Sequence, residues 1–555
     1  MAGFALLAIV IIGRLAYLQI LSQGFYKALA QGQQNLSSLA KGERGQIFAR
    51  DKDGTLYALA STRKIPFIFI SPVEIEDRQQ ATLLLSSVLS VPESEIAKKM
   101  DVEGSLYELI RKDVSPDQAK SITEAKIKGV YVGENAVRFY PQGSMAAHVL
   151  GFTNQEGEGQ YGVEEYYNSF LEGKEGIATT NSNPGGYLFS SQDTVQDGSD
   201  LILTLDYHIQ AEAEALLKKA VSDLEAREGS IVVMDPTNGN ILAMASAPNF
   251  DPNEFGSVPN LERFQNPVIE KLFEPGSIFK PLTMSGAIEK GKVTPDTTYE
   301  DKGILERGGE TIRNYDQRSY GQRTMREVLE FSINTGAVFA EEQLGNQNFL
   351  DFMKRFGIFE QTGIDLAGEV YSANQELKKG HIVSFATAAF GQGVEMNPLQ
   401  MLRAFSAIAN KGMMVNPVVA ETIVERGTEV VPKSRDKQQV RVLSEETATT
   451  VTSMLASVVE DGFGKRARVP GYHIAGKTGT AQVSYSALGI SKAGYSTATI
   501  QSFIGYAPAF NPRFMIMVKI DDPKTKTAEY SAIPVFHDLA KYIIDYYQIP
   551  PDFEP

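Results

Sequence analysis

Two blocks of strand-forming sequence, far apart along the chain, constrain the fold most. The first is a hairpin. Gly229–Asp235 and Asn240–Ala245 flank Pro236-Thr237-Asn238-Gly239, and Asn-Gly between apolar runs is a strong turn signal. The second comprises Ile474–Thr480, Ala498–Tyr506 and Phe514–Ile520, followed by a helical pattern from about Pro534 to Tyr547. Between the blocks, from about Phe279 to Lys411, the periodicity is helical. Strands so early and so late share a core only by pairing across that interval. The pattern predicts one antiparallel sheet flanked by helices, with a helical middle and a closing helix.

At the head of the helical interval stands Glu274-Pro275-Gly276-Ser277-Ile278-Phe279-Lys280-Pro281. Pro-Gly breaks the chain, the residues from Ser277 read as a helix start, and Pro281 is tolerated in the first turns. A serine there lies in the field of unpaired backbone N–H groups, which favours developing negative charge. Lys280 follows one turn later on the same face. Desolvated and close to other cations, its amine loses its proton readily and can take the one on Ser277. That is a nucleophile with its own base. The spacing alone says little, because Ser38/Lys41, Ser61/Lys64 and Ser434/Lys437 share it without an apolar helix, and such pairs are ordinarily solvated surface. Order singles out Ser277. Ser332-Ile333-Asn334 closes a helix predicted over Thr324–Phe331, and Lys477-Thr478-Gly479-Thr480-Ala481 follows the apolar Ile474-Ala475-Gly476. Ser-x-Asn has its own decoy at Ser372-Ala373-Asn374. The ordered set resembles the active-site signature of penicillin-binding proteins and class A β-lactamases.

Composition removes several other chemistries. A net charge of −15 argues against nucleic acid as a partner. Without cysteine there is neither a disulfide framework nor a thiolate metal site, and five scattered histidines with no His-Glu-x-x-His give no metal motif. No metal and no cofactor is expected. An apolar content of 43% in 555 residues is ample for two to four domains.

The N-terminus suggests the compartment. Met1–Gly13 is wholly apolar, Arg14 interrupts it, and Leu15–Leu21 resumes. Thirteen residues make about 20 Å of helix, short of the roughly 30 Å of hydrocarbon. Reading through Arg14, with its side chain snorkelling, gives a full span. A signal peptide would need a basic n-region and a small-residue cleavage site, and neither is visible. Residues 1–21 are therefore expected to be a transmembrane anchor in the cytoplasmic membrane, with the rest of the chain outside the cytoplasm. No Lys or Arg precedes the apolar run, so the natural start is expected upstream. Strand signals follow at 44–50, 55–59 and 64–71, a polar helical stretch over 74–127, extended segments at 130–132 and 138–140, and a short helix over 163–171. Asn181–Gly186 and the polar Ser190–Asp200 mark a boundary, after which Leu201–Asp206 is a strand entering a helix over Tyr207–Glu225, capped by Asp206.

Over essentially its whole length the chain resembles a class B penicillin-binding protein. Besides the three motifs, Arg44-Gly45-Gln46-Ile47, Arg138-Phe139-Tyr140-Pro141-Gln142-Gly143, Gly162-Val163-Glu164, Ile364–Glu369 and Phe390-Gly391-Gln392-Gly393 are similar to family stretches in order. The form of the Ser277 motif and the ending Tyr547–Asp552 resemble the division (septal) branch more than the elongation branch. The resemblance implies an α+β multidomain protein. A membrane anchor (1–21) precedes an elongated mixed α/β pedestal of the dimerisation type (22–195) and a transpeptidase domain (196–555). That last domain would hold an antiparallel five-stranded sheet flanked by helices, plus an all-helical subdomain. It also implies a D,D-transpeptidase that cross-links peptidoglycan stem peptides and is acylated by β-lactams. Ser277 is then the nucleophile and Lys280 its base. Ser332 and Lys477 relay protons and supply positive charge, and Asn334 holds Lys280 and the substrate amide. Thr478, Gly479 and Thr480 bind substrate, the Thr478 and Thr480 hydroxyls holding its terminal carboxylate, while the Ser277 and Thr480 N–H groups form the oxyanion hole. In the pedestal, Arg44, Arg138 and Glu164 are expected to form ion pairs that fix geometry, and Phe390–Gly393 to be a backbone turn near the site. Partners implied are the stem peptides, the membrane, division proteins and a separate glycan polymerase of the shape, elongation, division and sporulation class.

Rival readings share the motifs. A β-lactamase needs no anchor or long pedestal, and no Glu-x-x-Leu-Asn stretch supplies a deacylating glutamate. A membrane β-lactam sensor needs a signalling domain ahead of its anchor. An idle scaffold is expected to lack Lys280 or Asn334, and a bifunctional enzyme to carry a glycosyltransferase signature in the pedestal.

Overall fold

The computed structural model describes residues 39–177, 196–436, 439–492 and 494–554. The expected anchor and the turn-rich stretch 181–186 lie outside the described residues. Among the described residues no helix is long and apolar enough to cross a membrane. Contacts divide the chain into two compact, interleaved sets of segments. One holds the described parts of Met1–Gly45, Ser61–Phe139 and Phe170–Ser199, and the other holds Gln46–Ala60, Tyr140–Ser169 and Asp200–Pro555. Pairing explains the interleaving: Ile47–Arg50 lies beside Asp200–Asp206 in a parallel pair, and the Phe152 ring packs on Phe250, Phe255 and Phe264.

In the first unit, the chain from Ser61 to Ile70 pairs antiparallel with Val130–Phe139 over ten residues. The extended segments expected at 130–132 and 138–140 are thus one strand. Helices Arg78–Leu89, Glu93–Met100 and Pro116–Ala125 bury Ala81, Leu85, Ile96 and Ile122 against Ile68 and Ile70. The last of these starts at a capping box, Ser115 with Gln118. The stretch 74–127 is not all helical, because Glu108–Arg111 forms a strand beside Ile68–Ile70. Four residues are too few to show a strand period.

The second unit is built on five strands, β1 (Glu228–Met234), β2 (Ile241–Ala247), β3 (Ala475–Ser484), β4 (Tyr495–Ala507) and β5 (Phe514–Asp521). Their order is β2-β1-β5-β4-β3, every neighbour antiparallel, so the late block inserts β5 beside the early hairpin. Six helices matter to the site: α1 (Tyr207–Asp223), α2 (Lys280–Glu289), α3 (Met325–Glu330), α4 (Asn334–Leu344), α5 (Glu445–Glu460) and α6 (Ala532–Tyr547). The Asp206 carboxylate caps α1, accepting from the N–H groups of His208 and Ile209. Ile209, Ala213 and Leu217 of α1 and Phe536, Leu539 and Ile543 of α6 join Ile231, Val233, Phe503, Ile516 and Val518 in one core. The Phe503 and Phe536 rings meet edge-on at 4.6 Å. Lys477 and Tyr506 lie on the opposite face, where the Tyr506 hydroxyl and Thr452 Oγ1 of α5 share a hydrogen bond of 2.8 Å. With both faces covered, the central strands β1 and β5 are mostly apolar.

One strand takes a partner that the sequence leaves open, and one expectation is corrected. Strand Asp200–Asp206 does not join the five-stranded sheet; it pairs with Ala420–Glu425 and with Ile47–Arg50 in a second sheet. Its apolar run marks a buried strand and carries no record of its partner. The middle of the chain is not all helical either. Thr298–Asp301 pairs with Gly321–Thr324, and Ile304–Arg307 with Glu310–Arg313. These are four-residue ribbons with mostly exposed or half-exposed side chains, which leave no apolar alternation to read.

Candidate active site

The chain reaches α2 through a tight turn. Gly276 takes a φ of +58°, and its N–H donates to the Gly391 carbonyl at 2.9 Å. A Cβ on Gly391, itself at φ +79°, would stand 2.2 Å from the Gly276 carbonyl oxygen. The Phe390–Gly393 stretch is therefore the backbone support of the nucleophile turn. Gly276–Phe279 is a single 3₁₀ turn and the α-helix begins at Lys280, three residues later than the sequence suggests. In a 3₁₀ turn residues three apart eclipse, which places Ser277 and Lys280 on one side.

The other motifs converge on the same cleft, whose cavity of about 220 Å³ is lined by Ser277, Ser332, Thr478 and Thr480 among others. Helix α3 starts at the capping box Thr324/Glu327 and ends at Phe331. Ser332 then takes φ +55°, a left-handed conformation that a serine adopts only where its surroundings hold it. That turn aims its hydroxyl between two lysines. Lys280 Nζ donates to Asn334 Oδ1 at 2.8 Å, to Ser332 Oγ at 3.2 Å and to the Ser332 carbonyl. Lys477 Nζ donates to Ser332 Oγ at 3.0 Å and to Thr478 O and Oγ1 at 3.1 and 3.2 Å. Asn334 opens α4, and Thr478 and Thr480 lie on β3, the edge strand of the sheet. Gly479 lets the nucleophile turn approach: a Cβ there would meet Ser502 Oγ at 2.4 Å and Ile278 Cγ2 at 3.0 Å.

Both lysines are buried, Lys280 1% and Lys477 0% exposed, and neither donates to a carboxylate among the described residues. Two unpaired buried cations side by side are costly. Burial, and then the Lys477 charge, hold Lys280 well below the ordinary lysine range. Burial lowers Lys477 to about 7. A neutral amine at the end of the turn that carries Ser277, a second lysine and a hydroxyl bridging the two lysines can move a proton off one oxygen and onto another group across the cleft.

All eight site residues expected from sequence thus line or adjoin one cleft. Of the decoys, Ser61/Lys64 and Ser372/Asn374 stand elsewhere, while Ser38 and Lys437 lie outside the described residues. Ser61 and Lys64 lie on the strand of the first unit, where Lys64 pairs with Glu43 at 2.8 Å, and Asn374 is tied to the Glu395 carbonyl. Arg138 donates to the Gly45 carbonyl, and Glu164 is buried and accepts from the Tyr140 hydroxyl. Asn314, Tyr320 and Thr527 also line the cleft, and no motif in the sequence announces them.

The model of the penicillin-binding protein transpeptidase domain matches residues 229–541, more than half of the chain, and that of the penicillin-binding protein dimerisation domain matches 39–203. The chain belongs to the penicillin-binding protein transpeptidase family. This penicillin-binding protein is 34% identical to stage V sporulation protein D of Bacillus subtilis over 92% of its own length and 79% of that protein's. It is 29% identical to the peptidoglycan D,D-transpeptidase FtsI of Escherichia coli, covering all of this chain and 92% of FtsI. Among solved structures, penicillin-binding protein 3 of Mycobacterium tuberculosis complexed with aztreonam matches 92% of this penicillin-binding protein and 97% of that chain, at 27% identity and a TM-score of 0.70. These are class B enzymes, as the sequence resemblance has it.

Proposed function

We propose that this protein is a serine D,D-transpeptidase that cross-links peptidoglycan stem peptides through an acyl-enzyme on Ser277. The observation that carries the proposal is the Ser332 hydroxyl lying between the Lys280 and Lys477 amines, in the cleft that Ser277 lines. Neutral Lys280 takes the Ser277 proton as Oγ attacks the carbonyl between the two terminal D-alanines. The Ser277 and Thr480 N–H groups receive the oxyanion. As the tetrahedral intermediate collapses, the C–N bond breaks, and a proton passes through Ser332 Oγ to the departing D-alanine amine. An amine on a neighbouring stem then attacks the ester, loses its proton along the same path and restores Ser277. Asn334 aligns the donor amide, while Thr478 and Thr480 hold the terminal carboxylate beside Lys477. As the edge strand, β3 offers its open side to an extended peptide.

β-Lactams enter the first half-reaction and stop there. The sequence carries no recognisable hydrolytic motif whose carboxylate would deliver water to the ester, and the ring fragment blocks the amine. Septal wall synthesis fits the similarity to FtsI. Residues 1–21 are assigned as an anchor in the cytoplasmic membrane, 22–195 as a non-catalytic pedestal outside it and 196–555 as the catalytic domain. A glycan polymerase of the shape, elongation, division and sporulation class and division proteins are the expected partners. The test is to trap the penicillin adduct, remove free drug and follow the return of labelling by a fluorescent penicillin. A lifetime of hours corresponds to a barrier of roughly 23 kcal/mol and supports the transpeptidase. Recovery within seconds marks a β-lactamase and overturns it.

A further inference from the structure

Helix α4 carries Asn334 in its first position, yet its N-cap residue, Ile333, has no side chain able to cap it. The first N–H groups of a helix lack intrahelical partners and must be satisfied from elsewhere. Here a residue twenty positions upstream does so. Asn314 Oδ1 accepts from the Asn334 N–H at 3.1 Å and from the Thr335 N–H at 3.3 Å. Asn314 is itself only 3% exposed and is held by a more deeply buried group. Asp301, 1% exposed, receives Asn314 Nδ2 at 2.9 Å, Thr335 Oγ1 at 2.6 Å, the Gly303 N–H at 2.9 Å and the Tyr320 N–H at 2.8 Å.

The donor pattern fixes both amides. A carboxylate that takes four donors has none to offer, so Asn314 must turn Nδ2 to Asp301 and Oδ1 to the helix. Asn334 Nδ2 donates to the Arg313 carbonyl at 2.9 Å, which leaves Asn334 Oδ1 facing Lys280 Nζ. Buried negative charge close to a helix N-terminus is itself favourable. We propose that Asn314, oriented by Asp301, caps α4 from outside the helix and is the positioning residue that sets Asn334 against Lys280. The two short ribbons that sequence reading missed are, on this account, the support of the catalytic base. Neither residue touches the reacting atoms through this network; they act through Asn334. The charged group facing Lys280 is Lys477 of β3, while Ser332 and Asn334 offer it neutral oxygens.

The inference rests on the proposed acylation of Ser277, and the experiment separates the two. The full chain is mixed with a fluorescent penicillin, and the acylation rate constant is followed against pH for wild type, D301N, N314D and the exchange variant D301N/N314D. The rate constant does not depend on how much protein is folded; the amplitude reports that. Misplacing a catalytic group by about 1 Å costs roughly 10²-fold in rate, and each single variant should be slower by about that factor. In D301N the acid limb should move to lower pH, because Lys280⁺ loses the aligned Asn334 oxygen. The exchange variant restores a donor–acceptor pair between 301 and 314 at unchanged net charge. It should regain at least about tenfold over the slower single variant and return the limb to its wild-type position. Should D301N give no labelling amplitude, N314D and the exchange variant carry the same comparison. Single variants that keep the wild-type rate constant and limb while losing only amplitude overturn the inference, as does an exchange variant no faster than its parents. A wild-type chain that takes no label refutes the transpeptidase reading, and this inference with it.

Discussion

Replacing Lys477 by glutamine should trade activity for stability, and the trade should depend on pH in a calculable way. Lys477 is wholly buried, and burial lowers it from an ordinary value of 10.5 to about 7. Because the folded value lies below the unfolded one, folding releases a proton, and stability rises as pH climbs from about 7 to about 10.5. At about 1.4 kcal/mol per unit, the group costs the folded state about 4 kcal/mol at pH 7 and about 1 kcal/mol at pH 10. Glutamine carries no such cost, but it forfeits part of the hydrogen bonding to Ser332 Oγ, Thr478 O and Thr478 Oγ1, about 1 kcal/mol for each bond lost. That loss does not depend on pH. The stability of K477Q relative to wild type should therefore improve by about 3–4 kcal/mol on going from pH 10 to pH 7. Urea unfolding of both proteins, followed by circular dichroism at the two pH values, measures it. A difference that does not move with pH, or moves the other way, shows that Lys477 is not held as a neutral or half-neutral amine.

Three further outcomes follow from the same geometry. K280Q, which can donate to the Asn334 and Ser332 oxygens but has no basic nitrogen, should lose about 10²–10⁴-fold in penicillin acylation, read by stopped-flow fluorescence. Wild-type acylation should rise with pH as the lysine pair loses a proton, since the neutral amine is the base, and this limb should vanish in K280Q. G391A should abolish labelling while the five-stranded sheet survives by circular dichroism, because a Cβ 2.2 Å from the Gly276 carbonyl must displace the nucleophile turn.

How much of this is legible in the sequence depends on whether a feature is local. Ser277 and Lys280 are three residues apart, and the turn that joins them is written in Pro275-Gly276. Ser332/Asn334 and Lys477-Thr478-Gly479-Thr480 are too short to stand out alone, and their order along the chain is what made them readable. The hairpin β1–β2 could be read because its turn lies between the strands, and the helix after Asp206 because its cap precedes it. The partner of strand Asp200–Asp206 could not be, since a run buried on both faces looks the same in any sheet. The Asp301–Asn314–Thr335 network stayed hidden for a related reason. Its bonds join residues 13, 21 and 34 positions apart, brought together by ribbons too short to show a period. The start of α2 at Lys280 rather than Ser277 depends on Gly391, more than a hundred residues downstream, which fixes the turn before it.

The central claim is that Ser277 forms the covalent bond. Intact mass after benzylpenicillin treatment, followed by proteolysis and sequencing of the modified peptide, tests it in one measurement. A single adduct of the drug's full mass is expected on the peptide that contains Glu274–Lys280, absent in S277A. An adduct on Ser61 or on any other serine, or one that persists in S277A, contradicts it.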